Sequence, residues 1–176
     1  MNKSAIRARS IVGIPQSGER AKGDFYPTPP SATMALLMRE QFPGSVWEPA
    51  CGNGAMSTVI EANGLLLVRS SDLYDWGYGE TGIDFLLEDF QCDHIVTNPP
   101  FILAEQFVRH ALTQARRKVA LLCKLSFLES KHRKDLFKTT PLRTVYVFSE
   151  RVTMLKYGLG RGNESGMQAY AWYVFE

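Results

Sequence analysis

Short apolar runs alternate with helix-like patterns along most of the chain. Each run is short enough for one buried strand and is bounded by polar or turn-forming residues. The clearest helical pattern covers residues 103–115, where apolar side chains recur at i, i+4 and i+8 along two adjacent rows. This alternation predicts a parallel sheet with helices on both faces. We predict strands at residues 46–48, 65–69, 83–85, 94–97, 119–123, 143–148 and 170–175.

The last two predicted strands are connected differently from the others. No helical pattern lies between them, and the link contains four glycines between residues 158 and 166. A hairpin-like link of this kind joins antiparallel strands. The sequence therefore predicts an α/β fold, a Rossmann-like sheet of seven mostly parallel strands with helices on both faces and an antiparallel last strand.

The first part of the chain has no sustained hydrophobic period. Residues 1–23 carry five Lys/Arg together with several Gly and Pro, and we predict a flexible basic arm there. Residues 24–176 are predicted to form a single domain. The segment Tyr26-Pro27-Thr28-Pro29-Pro30 leads into a helix that Thr28 can cap, and Pro43-Gly44 ends that helix.

Composition narrows the functional classes. With 45% hydrophobic and 22% charged residues the chain is typical of a globular protein, and its apolar runs fall far short of the roughly 20 residues of a membrane span. Cys51, Cys92 and Cys123 are too far apart for a zinc knuckle or a redox pair, so no metal site is predicted. An odd, low cysteine count suits a cytoplasmic protein.

Positive charge is concentrated locally. Residues 109–134 contain eight Lys/Arg and one acid. Such a cluster can neutralise the phosphates of a nucleic acid, although a solvated helix face is an equally good interpretation. The arm and the glycine loop 158–166, with Arg161, are further candidates for polymer contact; no membrane partner is predicted and the oligomeric state stays open.

The segment Glu48-Pro49-Ala50-Cys51-Gly52-Asn53-Gly54 lies between a predicted strand and a helix. Gly52 and Gly54 permit a tight turn and close approach of a ligand to the backbone, and the unpaired N–H groups of the helix N-terminus favour an anion. A dinucleotide fingerprint would have a third glycine where this chain has Ser57. A smaller adenosine-containing cofactor with a carboxylate fits the motif better.

Two acidic positions follow at the ends of the next predicted strands. Asp72 lies 20 residues after Gly52, where an acid can accept both ribose hydroxyls, with Asp75 as a competitor for this role. Asp84 could accept from the amine of a cofactor adenine while Phe85 packs on its face. A core phenylalanine beside a surface aspartate is the alternative interpretation of this pair.

The segment Asn98-Pro99-Pro100-Phe101 ends another predicted strand. An aryl amine is a poor nucleophile, because its lone pair is delocalised into the ring. The Asn98 side-chain oxygen and the Pro99 carbonyl can each accept one amine N–H, and Pro100 stiffens the turn, so that the acceptors are preorganised. Phe101 can stack on a flipped base. These residues indicate methyl transfer to a planar nitrogen.

Taken together, the two motifs resemble those of class I S-adenosylmethionine-dependent methyltransferases, and in particular the small N6-adenine DNA methyltransferases of phages and prophages. The order of the motifs supports this: the Tyr26–Pro30 segment comes first, then the glycine motif, then Asn-Pro-Pro-Phe. The segment 125–130 followed by Arg133 is also similar to the small phage enzymes. The resemblance implies S-adenosylmethionine as the cofactor and a nucleic acid, DNA in the first place, as the partner.

The resemblance also implies roles for individual residues. Tyr26 and Thr28 would touch the methionine end of the cofactor, and Glu48 would hold its amine. The restriction enzymes of this group have a separate target-recognition domain, which 176 residues leave no room for, so low or short-site specificity is expected. The site predicted from these arguments comprises catalytic Asn98, Pro99, Pro100 and Phe101, and cofactor-binding Tyr26, Thr28, Glu48, Ala50, Cys51, Gly52, Gly54, Asp72, Asp84 and Phe85.

Two alternatives remain at this stage. Asn-Pro-Pro motifs also occur in methyltransferases that act on RNA adenines, guanines or protein glutamines, because each substrate presents a planar amine or amide. A non-catalytic cofactor-binding subunit is the alternative of another class, and the intact Asn98–Phe101 motif argues against it.

Overall fold

A computed structural model describes residues 25–154 and 168–176. Within these ranges the elements alternate as the sequence predicts. The helices are α1 (Pro30–Leu37), α2 (Ala55–Ala62), α3 (Ala104–Gln114) and α4 (Lys134–Thr139). The strands are β1 (Ser45–Glu48), β2 (Leu66–Asp72), β3 (Glu80–Thr81), β4 (Cys92–Thr97), β5 (Ala115–Lys124), β6 (Leu142–Val147) and β7 (Tyr170–Phe175).

The strands of the described ranges form one sheet in the order β3-β2-β1-β4-β5-β7-β6. β1 pairs in parallel with β2 and β4, and β4 pairs in parallel with β5. β7 lies between β5 and β6 and is antiparallel to both, so the predicted sheet with its antiparallel last strand is confirmed. The order of the strands reverses between β1 and β4. In open α/β sheets a crevice forms at such a point, at the carboxyl ends of the strands.

Alternate residues of the central strands face opposite layers of the core. In β4, Ile95 belongs to a cluster with α3, whereas the next residue, Val96, belongs to a cluster with α1 and α2. In β7, Tyr173 and Trp172 divide in the same way. Because the strands are buried on both faces, they are continuously apolar rather than alternating, as the sequence shows.

The prediction of a third strand at residues 83–85 is wrong. β3 is shorter and earlier, and it pairs with the end of β2 at the edge of the sheet. The Asp84 carboxylate accepts a hydrogen bond from the Leu86 N–H at 3.1 Å and thereby caps a 3-10 turn at Phe85–Leu87. The Phe85 ring is buried against Trp47, with ring centroids 5.1 Å apart. A short apolar run buried in a turn has the same pattern as a short strand.

The predicted Thr28 cap is also wrong. The residue before α1 is Pro29, and no side chain caps the helix. The Thr28 hydroxyl is instead turned toward the end of β4, where it accepts a hydrogen bond from the Asn98 amide. The prolines at the start of α1 reduce the need for a cap, since proline has no N–H to satisfy.

The basic segment 109–134 does not form one surface. Arg109 pairs with Glu105 on α3 at 2.9 Å, whereas Lys118 pairs with Glu40 at 2.7 Å. The predicted arm at residues 1–23 and the glycine loop 158–166, with Arg161, lie outside the described residues. Among the helices that are described, none has the length and apolar character to cross a membrane.

A buried carboxylate joins the segment after α1 to the far edge of the sheet. Glu40 accepts hydrogen bonds from Lys118 on β5 and Tyr146 on β6, both at 2.7 Å, and it pairs with Arg143. Burial alone would raise the pKa of Glu40. The hydrogen bonds from Lys118 and Tyr146 and the charges of Lys118 and Arg143 outweigh this effect and lower the pKa below its ordinary value of 4.5. The ionised form of Glu40 therefore stabilises the fold.

We predict that Glu40→Gln lowers the free energy of unfolding at neutral pH by roughly 1.5–3 kcal/mol, the usual effect of losing charged hydrogen bonds. Because the folded-state pKa is lowered, this contribution is present above pH 4.5 and is lost as the pH falls below it. Urea denaturation across this range measures it. The exposed Glu150→Gln is the control, and equal destabilisation by the two substitutions would contradict the prediction.

Candidate active site

An open cleft lies at the carboxyl ends of β1, β2 and β4, where the strand order reverses. Four segments line it: residues 25–28 before α1, residues from 48 to 56 around the turn after β1, residues from 72 to 76 after β2, and residues 98–101 after β4. The predicted glycine motif, Asp72 and the Asn-Pro-Pro-Phe motif are therefore brought together in one place. Such a crevice is the usual ligand site of an open α/β sheet.

The turn after β1 requires its two glycines. Gly52 and Gly54 have φ angles of 53° and 80°, in the left-handed region that side chains disfavour. A Cβ on Gly54 would also lie 2.5 Å from the ring of Tyr78. The turn therefore brings its backbone close to the cleft and starts α2 at Ala55 with no side-chain cap.

Asp72 connects the turn after β1 to the loop after β2. Its Oδ2 accepts from the Gly52 N–H and its Oδ1 from the Tyr74 N–H, each at 2.9 Å. Burial raises the pKa of Asp72, while hydrogen bonds from Tyr74, Gly52 and the Trp76 side chain oppose the change. Each carboxylate oxygen can accept a further hydrogen bond, so the group can still take ligand hydroxyls.

Glu48 lies at the floor of the cleft and is 2% exposed. The Ser57 hydroxyl donates to its carboxylate, and Ser57 is also hydrogen-bonded to the Ser70 hydroxyl at 2.7 Å. Burial raises the pKa of Glu48 to about 8, and the charge of Asp72 adds to this effect although the Ser57 hydrogen bonds oppose it. Among the described residues no cation pairs with Glu48. A ligand ammonium group would supply the missing partner.

Part of the cleft wall has no assigned reactive group and consists of Cys51, Ala50 and Tyr26. All three line the cleft. Burial, together with the charges of Glu48 and Asp72, raises the pKa of the Cys51 thiol to about 12. Since the thiolate is the nucleophilic form, Cys51 is unreactive near neutral pH.

The Asn98 amide is held in one orientation. Its Nδ2 donates to the Tyr26 carbonyl at 3.2 Å and to the Thr28 hydroxyl at 3.1 Å. A carbonyl can only accept, so the nitrogen must face Tyr26 and the oxygen must face the other way. The Asn98 Oδ1 is buried and has no hydrogen-bond partner among the described residues. A buried acceptor without a partner is costly and is expected where a ligand donor belongs.

Phe101 lines the same cleft as Asn98 and starts a 3-10 turn before α3. Its ring centroid is 6.3 Å from that of Tyr26 and 5.7 Å from that of Tyr170. The Lys124 Nζ lies 5.0 Å from the Phe101 ring centroid. Pro99 and Pro100 also line the cleft, so the whole predicted catalytic motif borders it.

Asp84 and Phe85 are placed elsewhere. Neither borders the cleft: Asp84 caps its own turn, and Phe85 packs in the core against Trp47, Phe107 and His110. Their assignment to a cofactor adenine stays a prediction to which the geometry lends no support.

The structure adds residues that the sequence did not single out. Ser57, noted only as a missing glycine, holds the Glu48 carboxylate. Phe25 and Trp76 stack face to face with centroids 4.2 Å apart, and both rings line the cleft. The aromatic residues that follow Asp72 in the sequence could have indicated an aromatic wall of the cleft. Nothing in the sequence, however, predicts that Phe25 stacks on Trp76.

The architecture is that of the class I S-adenosylmethionine-dependent methyltransferases. No protein-family model matches the sequence, and no curated protein matches it. The three similar solved structures given below share at most 14% identity with the chain, so the similarity establishes the fold alone.

Three solved structures illustrate the similarity of the fold. The chain aligns over 97% of its length with 96% of a "putative RNA methyltransferase", PH1948 from Pyrococcus horikoshii, with a TM-score of 0.65 and 14% identity. A second alignment covers 83% of the chain and is with a "putative class I S-adenosylmethionine-dependent methyltransferase" from Listeria monocytogenes (TM-score 0.53, 13% identity). The type I restriction-modification methyltransferase subunit of Streptococcus thermophilus matches over 88% of the chain (TM-score 0.60, 14% identity).

The chain corresponds to only part of the larger two. It spans 57% of the Listeria protein and 44% of the Streptococcus subunit.

The Glu48 environment gives a prediction about stability. Because the folded-state pKa of about 8 lies above the ordinary 4.5, the contribution of Glu48 to stability is complete below pH 4.5 and is lost as the pH rises to about 8. Gln imitates the neutral form. Glu48→Gln should therefore be more stable than the parent protein above pH 8 by roughly 1–3 kcal/mol, the usual effect of an unpaired buried polar group.

Thermal unfolding in the absence of ligand, recorded from acid to alkaline pH, measures this difference. The exposed Glu61→Gln on α2 serves as the control for replacing a glutamate by glutamine. A difference between Glu48→Gln and the parent that does not grow with pH would show that folding does not raise the pKa of Glu48.

Proposed function

We propose that this protein is an S-adenosylmethionine-dependent N6-adenine methyltransferase that acts on DNA with low or short-site specificity. The observation that carries the proposal is the Asn98 side chain, which lines the cleft and whose buried Oδ1 has no partner among the described residues. An acceptor of this kind, beside an aromatic ring and a rigid proline turn, suits an exocyclic amine.

The cleft has the chemistry that S-adenosylmethionine requires. Asp72 and Glu48 both line the cleft: Asp72 would accept from the ribose hydroxyls, and Glu48 would accept from the ammonium group of the methionine portion. The N–H groups at the start of α2 favour the methionine carboxylate. Tyr26, Thr28, Ala50, Cys51 and Gly52 complete the walls around these groups, and Gly54 shapes the turn that presents them. When bound, the cofactor supplies an electrophilic methyl group.

The residues of the chain then orient the nucleophile. The Asn98 Oδ1 and the Pro99 carbonyl each accept one N–H of the adenine amine, which steers the nitrogen toward a tetrahedral shape with its lone pair aimed at the methyl group. Because Tyr26 and Thr28 hold the Asn98 amide in advance, little reorganisation is needed during the reaction. Phe101 stacks on the base. No strong base is needed, because the alkylated amine is acidic and can release its proton to water.

DNA is the preferred substrate because of the resemblance of the motifs and their order. A restriction-modification methyltransferase subunit is among the similar structures, and so is a protein named as an RNA methyltransferase. RNA adenine is therefore the second candidate. Mass spectrometry of nucleosides from cells with and without the protein separates the two: N6-methyl-deoxyadenosine supports the proposal, whereas N6-methyladenosine alone would replace DNA by RNA.

The isolated protein should bind S-adenosylhomocysteine in a calorimetric titration. Asp72→Ala should weaken this binding by roughly 1–3 kcal/mol, the range for a lost hydrogen bond to a charged group. Asp75→Ala is the matched control, because Asp75 is exposed and accepts from the Gly77 N–H outside the cleft lining. Binding of NAD in place of S-adenosylhomocysteine would refute the cofactor assignment.

Asn98→Ala should remove methyl transfer while leaving the affinity for S-adenosylhomocysteine nearly unchanged. Because Asn98 is assigned to the substrate amine, the substitution should lower the turnover rate. The expected decrease is on the order of 100-fold or more, as for the removal of a preorganised polar group. The exposed Gln106→Ala on α3 controls for removal of a side-chain amide. Near-normal turnover in a folded Asn98→Ala protein would show that the acceptor is misassigned.

A further inference from the structure

A second cavity adjoins the cleft and has no role in the reaction described so far. Its volume is about 110 Å³, and it shares Phe101 with the cleft as a common wall. Lys124, Ser126, Phe127 and Arg133 provide the rest of its lining together with two small side chains. The cavity therefore begins where a base stacked on Phe101 would end.

Among the described residues, the lining of this cavity is cationic and contains no carboxylate. Lys124 is the last residue of β5, one strand away from the Asn98 turn at the same edge of the sheet. Its ammonium lies against the Phe101 ring and forms no salt bridge within the described residues. By contrast, Lys118 at the start of the same strand is neutralised by Glu40.

Arg133 is held rigidly by the backbone that borders the cavity. Its Nε donates to the Phe127 carbonyl at 2.7 Å, and its Nη2 donates to the Ser126 and Glu129 carbonyls at 3.0 and 2.7 Å. These bonds use three of the five N–H groups of the guanidinium. The Nη1 has no hydrogen-bond partner in residues 25–154 or 168–176. A fixed guanidinium with two N–H groups left over suits an oxyanion.

We propose that Lys124 and Arg133 form a subsite for a phosphodiester group next to the nucleotide whose base stacks on Phe101. The assignment rests on the proposed function, since it places the target base on that ring. It also narrows the substrate class to a polynucleotide, because a protein glutamine presents an amide but no phosphate. Arg133 has a second role, to hold the turn at Leu125–Leu128, so Lys124 is the residue to test.

The test uses binding alone and needs no methyl transfer. The probe is a fluorescent oligothymidylate with one deoxyadenosine, made with normal linkages or with neutral methylphosphonates on both sides of that adenosine. Anisotropy measures its affinity for the parent protein, Lys124→Gln and Lys131→Gln at several salt concentrations. Lys131 is an exposed lysine of the same region that does not line the cavity, which makes it the matched control.

Lys124→Gln should weaken binding of the normal oligonucleotide roughly fivefold at low salt and reduce the slope against log salt by about 0.7, as for one phosphate contact. The methylphosphonates should weaken binding of the oligonucleotide to the parent protein and to Lys131→Gln equally. Their effect on Lys124→Gln should be smaller, because only the Arg133 contact to the phosphodiester remains to be lost. Equal effects of the two lysine substitutions, or an undiminished methylphosphonate effect in Lys124→Gln, would overturn the subsite.

A second outcome would also overturn the phosphodiester subsite. In that outcome the protein binds no oligonucleotide, and a glutamine-containing peptide binds with the same affinity to the parent protein and to Lys124→Gln. Failure of the proposed function would be seen separately. The parent protein would then not bind S-adenosylhomocysteine in calorimetry, while the oligonucleotide measurements would still give the results expected for the subsite.

Discussion

The hydrogen bonds that fix the Asn98 amide are the constraint on which the rest of the site depends. They join the segment before α1 to the end of β4, two parts of the chain that are 70 or more residues apart. With the Asn98 nitrogen occupied by Tyr26 and Thr28, the oxygen is left buried and unsatisfied within the described structure. An unpaired buried acceptor of this kind lowers the stability of the free protein. A bound amine would donate the missing hydrogen bond and remove this cost.

The sheet places the other groups around this acceptor. The strand order reverses between β1 and β4, and the turns that follow β1, β2 and β4 therefore meet at one crevice. Asp72 fastens two of these turns through the Gly52 and Tyr74 N–H groups. Glu48, buried below them and bound by Ser57, is a neutral acid at moderate pH that an arriving cation would ionise. In the proposed function, residues of β1 and β2 and of the turns that follow them bind the cofactor, and the turn after β4 binds the substrate amine.

Much of this arrangement could be predicted from the sequence, because it depends on local patterns. Apolar runs located the central strands, and the glycine and Asn-Pro-Pro motifs located the turns that line the cleft. The errors have physical causes. Residues 83–85 look like a strand although Phe85 is buried from a turn, and Thr28 looks like a helix cap although it bonds to Asn98. The Phe25–Trp76 stack and the Lys124–Arg133 cavity depend on tertiary contacts that no local pattern encodes.

The central claim is that the site recognises an exocyclic amine. The most direct measurement compares methyl transfer from labelled S-adenosylmethionine to two otherwise identical oligonucleotides, one with adenine and one with hypoxanthine, which has a keto oxygen in place of the amine. The account predicts label on the adenine N6 and none on the hypoxanthine oligonucleotide. Equal labelling of the two oligonucleotides, which would place the methyl group on a ring atom or on the backbone, would contradict it.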